Sequence, residues 1–121
     1  MKIIVFSNNT NPDIFIENLS KQKIHADKFN GPSNIDAIDL ANSIIIIDID
    51  SLRDQGFTIA SKLANKALGK IIVLAVTTLE VDSRASKFDL FFSSFTEVFD
   101  KLKEIKKRYD KTLQSDQIKS L

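Results

Sequence analysis

Apolar residues along this chain follow two patterns, short uninterrupted runs and longer stretches in which they recur every three or four positions. The first marks buried strands, the second helices with one apolar face. Ile3 to Phe6 is a β-rich run ending at Ser7-Asn8-Asn9-Thr10-Asn11, a cluster of turn and capping residues, and predicts a strand followed by a loop. Pro12 suits the first turn of a helix, with Asn11 as its cap, Asp13 against the helix dipole, and Ile14, Phe15 and Leu19 on the apolar face. That helix is predicted from Pro12 to about Lys21. Ile24 to Phe29 is a weaker strand, broken by Asn30-Gly31-Pro32-Ser33 before a short helical piece around Ile35 to Ala41.

Ser43-Ile44-Ile45-Ile46-Ile47-Asp48 is the strongest strand in the chain. An unbroken β-branched stretch implies burial on both faces, as in the middle of a parallel sheet. Ser51 followed by Asp54 has the spacing of a capping box, and Ile59, Ala60, Leu63, Ala64, Ala67 and Leu68 then recur at helical spacing until Gly69 stops them. Ile71 to Val76 is another doubly apolar strand, Thr77 to Phe88 is polar with at best one or two turns of helix, and Leu90 to Phe92 is a short fifth strand. Ser94 with Glu97 makes a second capping box, opening a helix whose apolar residues Phe95, Val98, Leu102, Ile105 and Tyr109 repeat every three or four positions.

Strands alternating with helical segments through short links predict an α/β fold with right-handed crossovers. The economical form is a flavodoxin-like three-layer sandwich on a five-stranded parallel sheet of order 2-1-3-4-5. In such sheets ligands meet the carboxyl ends of the strands near the switch point. Those tips carry Ser7-Asn8, Asp48 and Thr77. No internal repeat or low-complexity tract interrupts the pattern, so residues 1–109 are expected to form one domain and the polar residues 110–121 a helix extension or linker.

Composition narrows the chemistry. The 121 residues are 43% hydrophobic and 27% charged, an ordinary globular balance for one domain. Lys plus Arg (17) nearly cancel Asp plus Glu (16), so there is no overall field for a nucleic acid or an anionic membrane. Zero Cys and one His exclude a disulfide framework, a thiol nucleophile, a Cys/His zinc site and a Ser/His/Asp triad, unless His25 supplied the base. His25 begins a weak strand with no acid or Cys at ligand spacing beside it and reads as a solvent-facing or structural histidine. From Lys101 to Lys111 six basic residues are laced with Glu104 and Asp110, the pattern of a solvated helix face. The longest apolar run falls well short of a membrane span, and no charged-then-apolar leader precedes the first strand, so the expectation is a cytoplasmic protein.

Asp48 closing a buried third strand, Gly56 eight residues later in the next helix's first turn, and Thr77 closing the fourth strand together resemble the response-regulator receiver family, the fold of chemotaxis-type phosphoacceptors. The resemblance runs from Lys2 to about Tyr109 and rests on spacing and strand order more than on a rich motif. It implies Asp48 as the phosphoacceptor equivalent and Thr77 as the hydroxyl that bonds a phosphoryl oxygen, with magnesium offsetting the negative charge of nucleophile and transferring group. Family members hold that ion with an acidic pair after strand one, where Ser7 and Asn8 stand here. They also carry a Lys at the end of strand five, commonly followed by Pro, where Ser93 and Ser94 stand. Three charged groups are therefore missing, and each charge-assisted contact is worth about 1.5 to 3 kcal/mol, so metal affinity and phosphoryl-transfer stabilisation are both expected to suffer. The expectation is a pseudo-receiver: a non-enzymatic regulatory module of a two-component-type system with a pocket of Ser7, Asn8, Asp48, Thr77 and Ser93, independent of phosphorylation, without a cofactor, and with magnesium only if Asp48 is phosphorylated.

The segment from Thr77 to Ser93 is shorter than the family's usual spacing, which implies a shortened fourth helix and a remodelled face of fourth helix, fifth strand and fifth helix. The family commonly makes partner or dimer contacts there. Phe91, Phe95, Phe99, Leu102 and Tyr109 are the candidate contact residues, with core packing as the competing reading for most of the phenylalanines. The expected partner is a protein or a second copy through this face, with an output domain or a histidine kinase as further candidates, and neither a membrane nor direct nucleic-acid binding. Two alternatives remain: a weakly active phosphoacceptor at Asp48, with Asn8 and water replacing the acidic pair, and a small flavodoxin-like ligand binder using the loop from Ser7 to Asn11, whose hydroxyls and amides precede a helix N-terminus. Helix capping explains the same loop residues, and no Gly admits a phosphate there. Asp50 would share a face with Asp48 if the strand continued, as a metal pair or acid/base dyad; capping logic places it instead as a loop acid near the start of the third helix.

Overall fold

Ile44, Ile45, Ile46 and Ile47 are all fully buried, and the strand they form, β3 (Ser43–Asp48), lies at the centre of the sheet. Burying an isoleucine completely contributes about 1.5 to 3 kcal/mol, so this run is the main apolar anchor of the fold. The computed structural model describes residues 2–31, 35–65, 69–80 and 87–112. Around β3 lie β1 (Lys2–Phe6), β2 (Ala26–Phe29), β4 (Ile71–Val76) and β5 (Leu90–Phe92), all parallel, in the order β2-β1-β3-β4-β5. The predicted α/β, flavodoxin-like topology is the one observed.

Successive strand residues point to opposite faces, and the core divides accordingly. On one face Ile3, Val5, Ile44, Ile46 and Leu74 meet Phe15 and Leu19 of α1 (Asn11–Lys21). Phe95 and Val98 of α4 (Phe95–Asp100) and Leu102, Ile105 and Tyr109 of α5 (Leu102–Lys111) complete that layer. On the other face Ile4, Phe6, Ile45, Ile47 and Ala75 meet Ile49 and Leu52 of α2 (Ile49–Leu52) and Ile59, Ala60 and Leu63 of α3 (Asp54–Ala64). Ile35, at the start of a 3-10 turn (Ile35–Ala37), and Phe88 close its ends. Among the described residues no helix is long and apolar enough to cross a membrane.

Three local expectations are corrected. Asn11 is the first residue of α1 rather than its cap; the cap position is Thr10, and the backbone N–H of Asn11 is satisfied one step back, by Asn9 Oδ1 at 2.9 Å. Ser51 does not cap the third helix: it lies inside the short α2, whose cap is Asp48. The helical direction therefore begins at the strand's last residue, and Arg53, at φ 55° and ψ −127°, separates α2 from α3. The predicted C-terminal helix is two, α4 and α5, parted at Lys101 although Ile105 N–H still donates to Lys101 O at 3.0 Å.

Half of the Ser94 capping box forms: Glu97 N–H donates to Ser94 Oγ at 3.1 Å, while Glu97 Oε1 accepts from the N–H of Ser93, the residue before the cap, at 3.0 Å. Beyond the described residues lie the Pro32-Ser33 part of the second loop, Ala67 and Leu68, positions 81–86 where the shortened fourth helix was expected, and 113–121 of the C-terminal extension.

Candidate functional site

Three polar side chains are buried where the carboxyl ends of β1, β3 and β4 meet: Ser7, Asp48 and Thr77. A buried carboxylate is costly unless hydrogen bonds replace its water. Asp48, 2% exposed, accepts the Ser7 hydroxyl at Oδ2 (2.8 Å) and the Ser51 backbone N–H at Oδ1 (3.4 Å). Ser51 Oγ in turn accepts from Asn8 N–H at 3.0 Å and lies 3.3 Å from Ser7 Oγ. The result is a web of neutral donors around one acid. Among the described residues no Lys or Arg bonds to Asp48.

Thr77 does not join that web. Its hydroxyl donates to Asp50 Oδ1 at 2.7 Å, while Thr78 donates to the same carboxylate through its hydroxyl (2.8 Å) and its N–H (3.0 Å to Oδ2). Burial alone would raise the Asp50 pKa, but the bonds from Thr77 and Thr78 and the nearby Arg53 charge outweigh it and hold the carboxyl below its ordinary value. Asp50 is thus neither a partner of Asp48 nor a free loop acid. It ties the start of α2 to the end of β4, a role the sequence reading missed; the visible signal was an acid two residues past one strand tip and a Thr-Thr pair at the next.

The remaining expected pocket residues border the site, Asn8 beside Ser51 and Ser93 in a cavity it lines with Thr77. Asn8 contributes its backbone N–H, and Ser93 is exposed with its N–H committed to Glu97. In the loop proposed as a ligand cradle, Ser7 Oγ serves Asp48, Asn9 Oδ1 serves Asn11 N–H, and Lys28 Nζ holds Asn9 O at 2.7 Å and Asp13 at 3.0 Å. These groups are spent on the fold. His25 is solvent-facing as expected, but an acid does stand beside it: Asp27, two residues on and so on the same side of the strand, pairs with Nε2 at 2.8 Å.

The residues do not fit magnesium. A small hard dication takes oxygen ligands including carboxylates, yet Asp48 spends its oxygens on Ser7 and Ser51, and Asp50 faces Thr77 and Thr78. Among the described residues no three His, Cys, Asp or Glu converge.

The expected contact face is narrower than its five residues. Phe95, Leu102 and Tyr109 are buried, 6 to 8% exposed, because the row that repeats every three or four positions is the one turned onto the sheet. Phe99 is half-buried against the same core. Phe91, 40% exposed on the edge strand β5, alone turns outward. It lines a groove of about 480 Å³ with Ile105, Glu97, Lys101, Glu104 and Arg108.

No family model matches the chain, and no curated protein sequence matches it. Among solved structures it is similar to a chain in the crystal structure of histidine kinase ThkA in complex with response regulator protein TrrA, with a TM-score of 0.65 and 27% identity over 90% of this chain and 98% of that one.

Proposed function

We propose that the chain is a receiver-like regulatory module of the two-component type that acts by protein contact and not by phosphorylation of Asp48. The likeness to a structure of a histidine kinase with a response regulator, spanning nearly the whole length of both chains, supports the signalling role. One observation carries the second half of the reading: the Asp48 carboxylate is buried and already engaged by Ser7 and Ser51.

A carboxylate that attacks a phosphoryl donor needs an open oxygen and positive charge to stabilise what builds up on the transferring group. Asp48 meets neutral donors on both oxygens, and Thr77 spends its hydroxyl on Asp50. Opening the site would break the Ser7 bond and disturb the α2 cap, each a loss of about 1 kcal/mol or more. In this reading residues 1–109 form the module and 110–121 continue as an extension or linker. The partner is a protein, reached through the surface beside β5, and the mixed charges of α5 leave no continuous basic track for a nucleic acid.

The test is exposure of the full chain to acetyl phosphate and magnesium, read by intact mass spectrometry. No phosphoryl adduct is expected; an adduct that disappears in Asp48→Asn overturns the reading.

A further inference from the structure

The layer of α1, α4 and α5 is closed at one end and open at the other. Phe15 and Phe95 lie ring to ring at 5.5 Å, but α1 stops at Lys21 while the helical course through α4 and α5 runs on to Lys111. Where α1 gives way to the turn into β2, at the amino ends of the strands, the seam widens into a cavity of about 460 Å³. Ile24, Phe99 and Leu102 give it apolar walls, all three packed on the core of that layer. Its polar edge is Gln22, Asp100, Lys103 and Lys106.

Neither lysine serves the fold. Lys103 and Lys106 are exposed and make no ion pair among the described residues, and like charges three apart on a helix repel each other. The plainer account, a solvated face with acids laced between the lysines, fails at this side of the helix: Glu104 lines the groove beside β5 and approaches Lys101 there at 3.9 Å. Asp100 is the single acid at the cavity, against the two lysines and against Lys23, which lines an adjoining cavity that shares Ile24. The mouth is therefore net positive over an apolar interior, the complement of a ligand with one anionic head and an apolar tail.

A protein partner would meet apolar surface that stands out from its surroundings. Among the described residues the exposed large hydrophobics are Ile14, Leu79 and Phe91, and none of them lines this cavity. Its own apolar side chains are recessed, and its volume falls in the range of small-ligand sites, about 300 to 1,000 Å³.

We infer that the cavity between the end of α1 and the α4–α5 seam binds a free amphipathic carboxylate of the fatty-acid class, with Lys103 and Lys106 holding the carboxylate and Ile24, Phe99 and Leu102 the tail. The ammonium groups are exposed, so salt weakens the pairing. The inference goes beyond the contact-module reading and does not depend on it.

Titration of the isotope-labelled full chain with sodium decanoate at low salt, read by amide NMR shifts, tests it. Saturable shifts are expected at Ile24, Phe99 and Lys103, with Thr77 and Phe91 unmoved. Decyltrimethylammonium, which has the same tail and a cationic head, is expected to bind at least about tenfold more weakly. The double variant K103Q/K106Q is expected to weaken decanoate binding by about tenfold, and Lys101→Gln, on the groove beside β5, to leave it unchanged. Circular dichroism checks that each variant is folded. No shift at about 5 mM decanoate, where even millimolar binding registers, overturns the inference, as do equal binding of the cationic analogue and a double variant that binds like the wild type. Vesicles of phosphatidylglycerol are expected not to carry the chain down on sedimentation; vesicle binding without binding of free decanoate would assign the lysines to a lipid surface and overturn the inference too. None of these outcomes bears on Asp48, which the acetyl phosphate experiment decides separately.

Discussion

Thr77 donates its hydroxyl hydrogen to Asp50 at 2.7 Å, and the neighbouring Thr78 holds the same carboxylate through both its hydroxyl and its N–H. Asp50 sits in the first turn of α2 and Thr77 directly follows β4, so the bond joins the outgoing ends of two adjacent central strands. Thr77 Oγ1 also accepts from Leu79 N–H at 3.0 Å, which extends the tie into the segment leaving the sheet. An internal carboxylate therefore supplies Thr77 with an anionic acceptor at the strand tip.

This tie makes stability depend on pH in a defined direction. The Asp50 carboxyl is held below its ordinary value of 3.8 in the folded chain. A carboxyl with a depressed folded pKa adds stability that is complete above the unfolded value and is lost as pH falls through the folded one. Asp50→Ala should cost about 1.5 to 3 kcal/mol at neutral pH, the scale of hydrogen bonds to a charged group. The gap to wild type should narrow below about pH 4. Urea denaturation of both proteins from neutral to acid pH measures it, and a gap that stays constant contradicts the tie.

Ser7 and Asp48 give a second, ordered expectation. Ser7→Ala leaves a buried carboxylate without its shortest hydrogen bond, a loss of about 1 to 3 kcal/mol. Asp48→Asn keeps an acceptor for the Ser51 N–H while removing the buried charge, so it should cost less than Ser7→Ala. Chemical denaturation of the two variants ranks them; the reverse order would mean that the Asp48 charge is stabilised by something other than Ser7.

The strand tips show what a linear pattern can and cannot carry. The run Ile44–Ile47 announces a central strand because burial on both faces demands apolar residues without alternation, and the structure agrees. The row Phe95, Val98, Leu102, Ile105, Tyr109 equally announces one buried helix face, and its members are core. Phe95, Leu102 and Tyr109 are turned onto the sheet, because periodicity marks the covered side of a helix. The cap of α2 was hidden because the capping side chain, Asp48, belongs to a strand, so no helix-start signal stands where the helix starts. The Asp50–Thr77 bond spans 27 positions in sequence and exists only because β3 and β4 are neighbours.

Gly56 has a packing reason that its spacing from Asp48 did not reveal. A Cβ there would lie 2.7 Å from Ile49 Cδ1 and 3.2 Å from Ile47 Cγ2, where α3 passes close to the end of β3. Overpacking of this kind costs about 1 to 3 kcal/mol, against a helix-propensity gain of about 1 kcal/mol for Gly→Ala. Gly56→Ala should therefore lower stability by up to about 2 kcal/mol, and adding Ile49→Val, which deletes the clashing methyl, should recover part of the loss. Thermal melts of the three variants decide it; a double variant no better than Gly56→Ala alone would place the strain elsewhere.

Phe91 and Phe95 stand four residues apart and should respond oppositely to truncation. Phe95 is 7% exposed, with its ring 5.5 Å from that of Phe15, so it locks α4 onto α1. Phe95→Ala should cost about 3 to 5 kcal/mol, the range for removing a buried aromatic. Phe91 is 40% exposed, and the ring contact found for it is with Phe88 at 5.7 Å. Phe91→Ala should cost only about 1 to 2 kcal/mol, because two-fifths of the ring's surface is solvated already. Denaturant titration gives both values. The contrast separates the fold from the surface: with Phe91 removed the chain should remain folded, and a large loss of stability at Phe91 would assign that ring to the core.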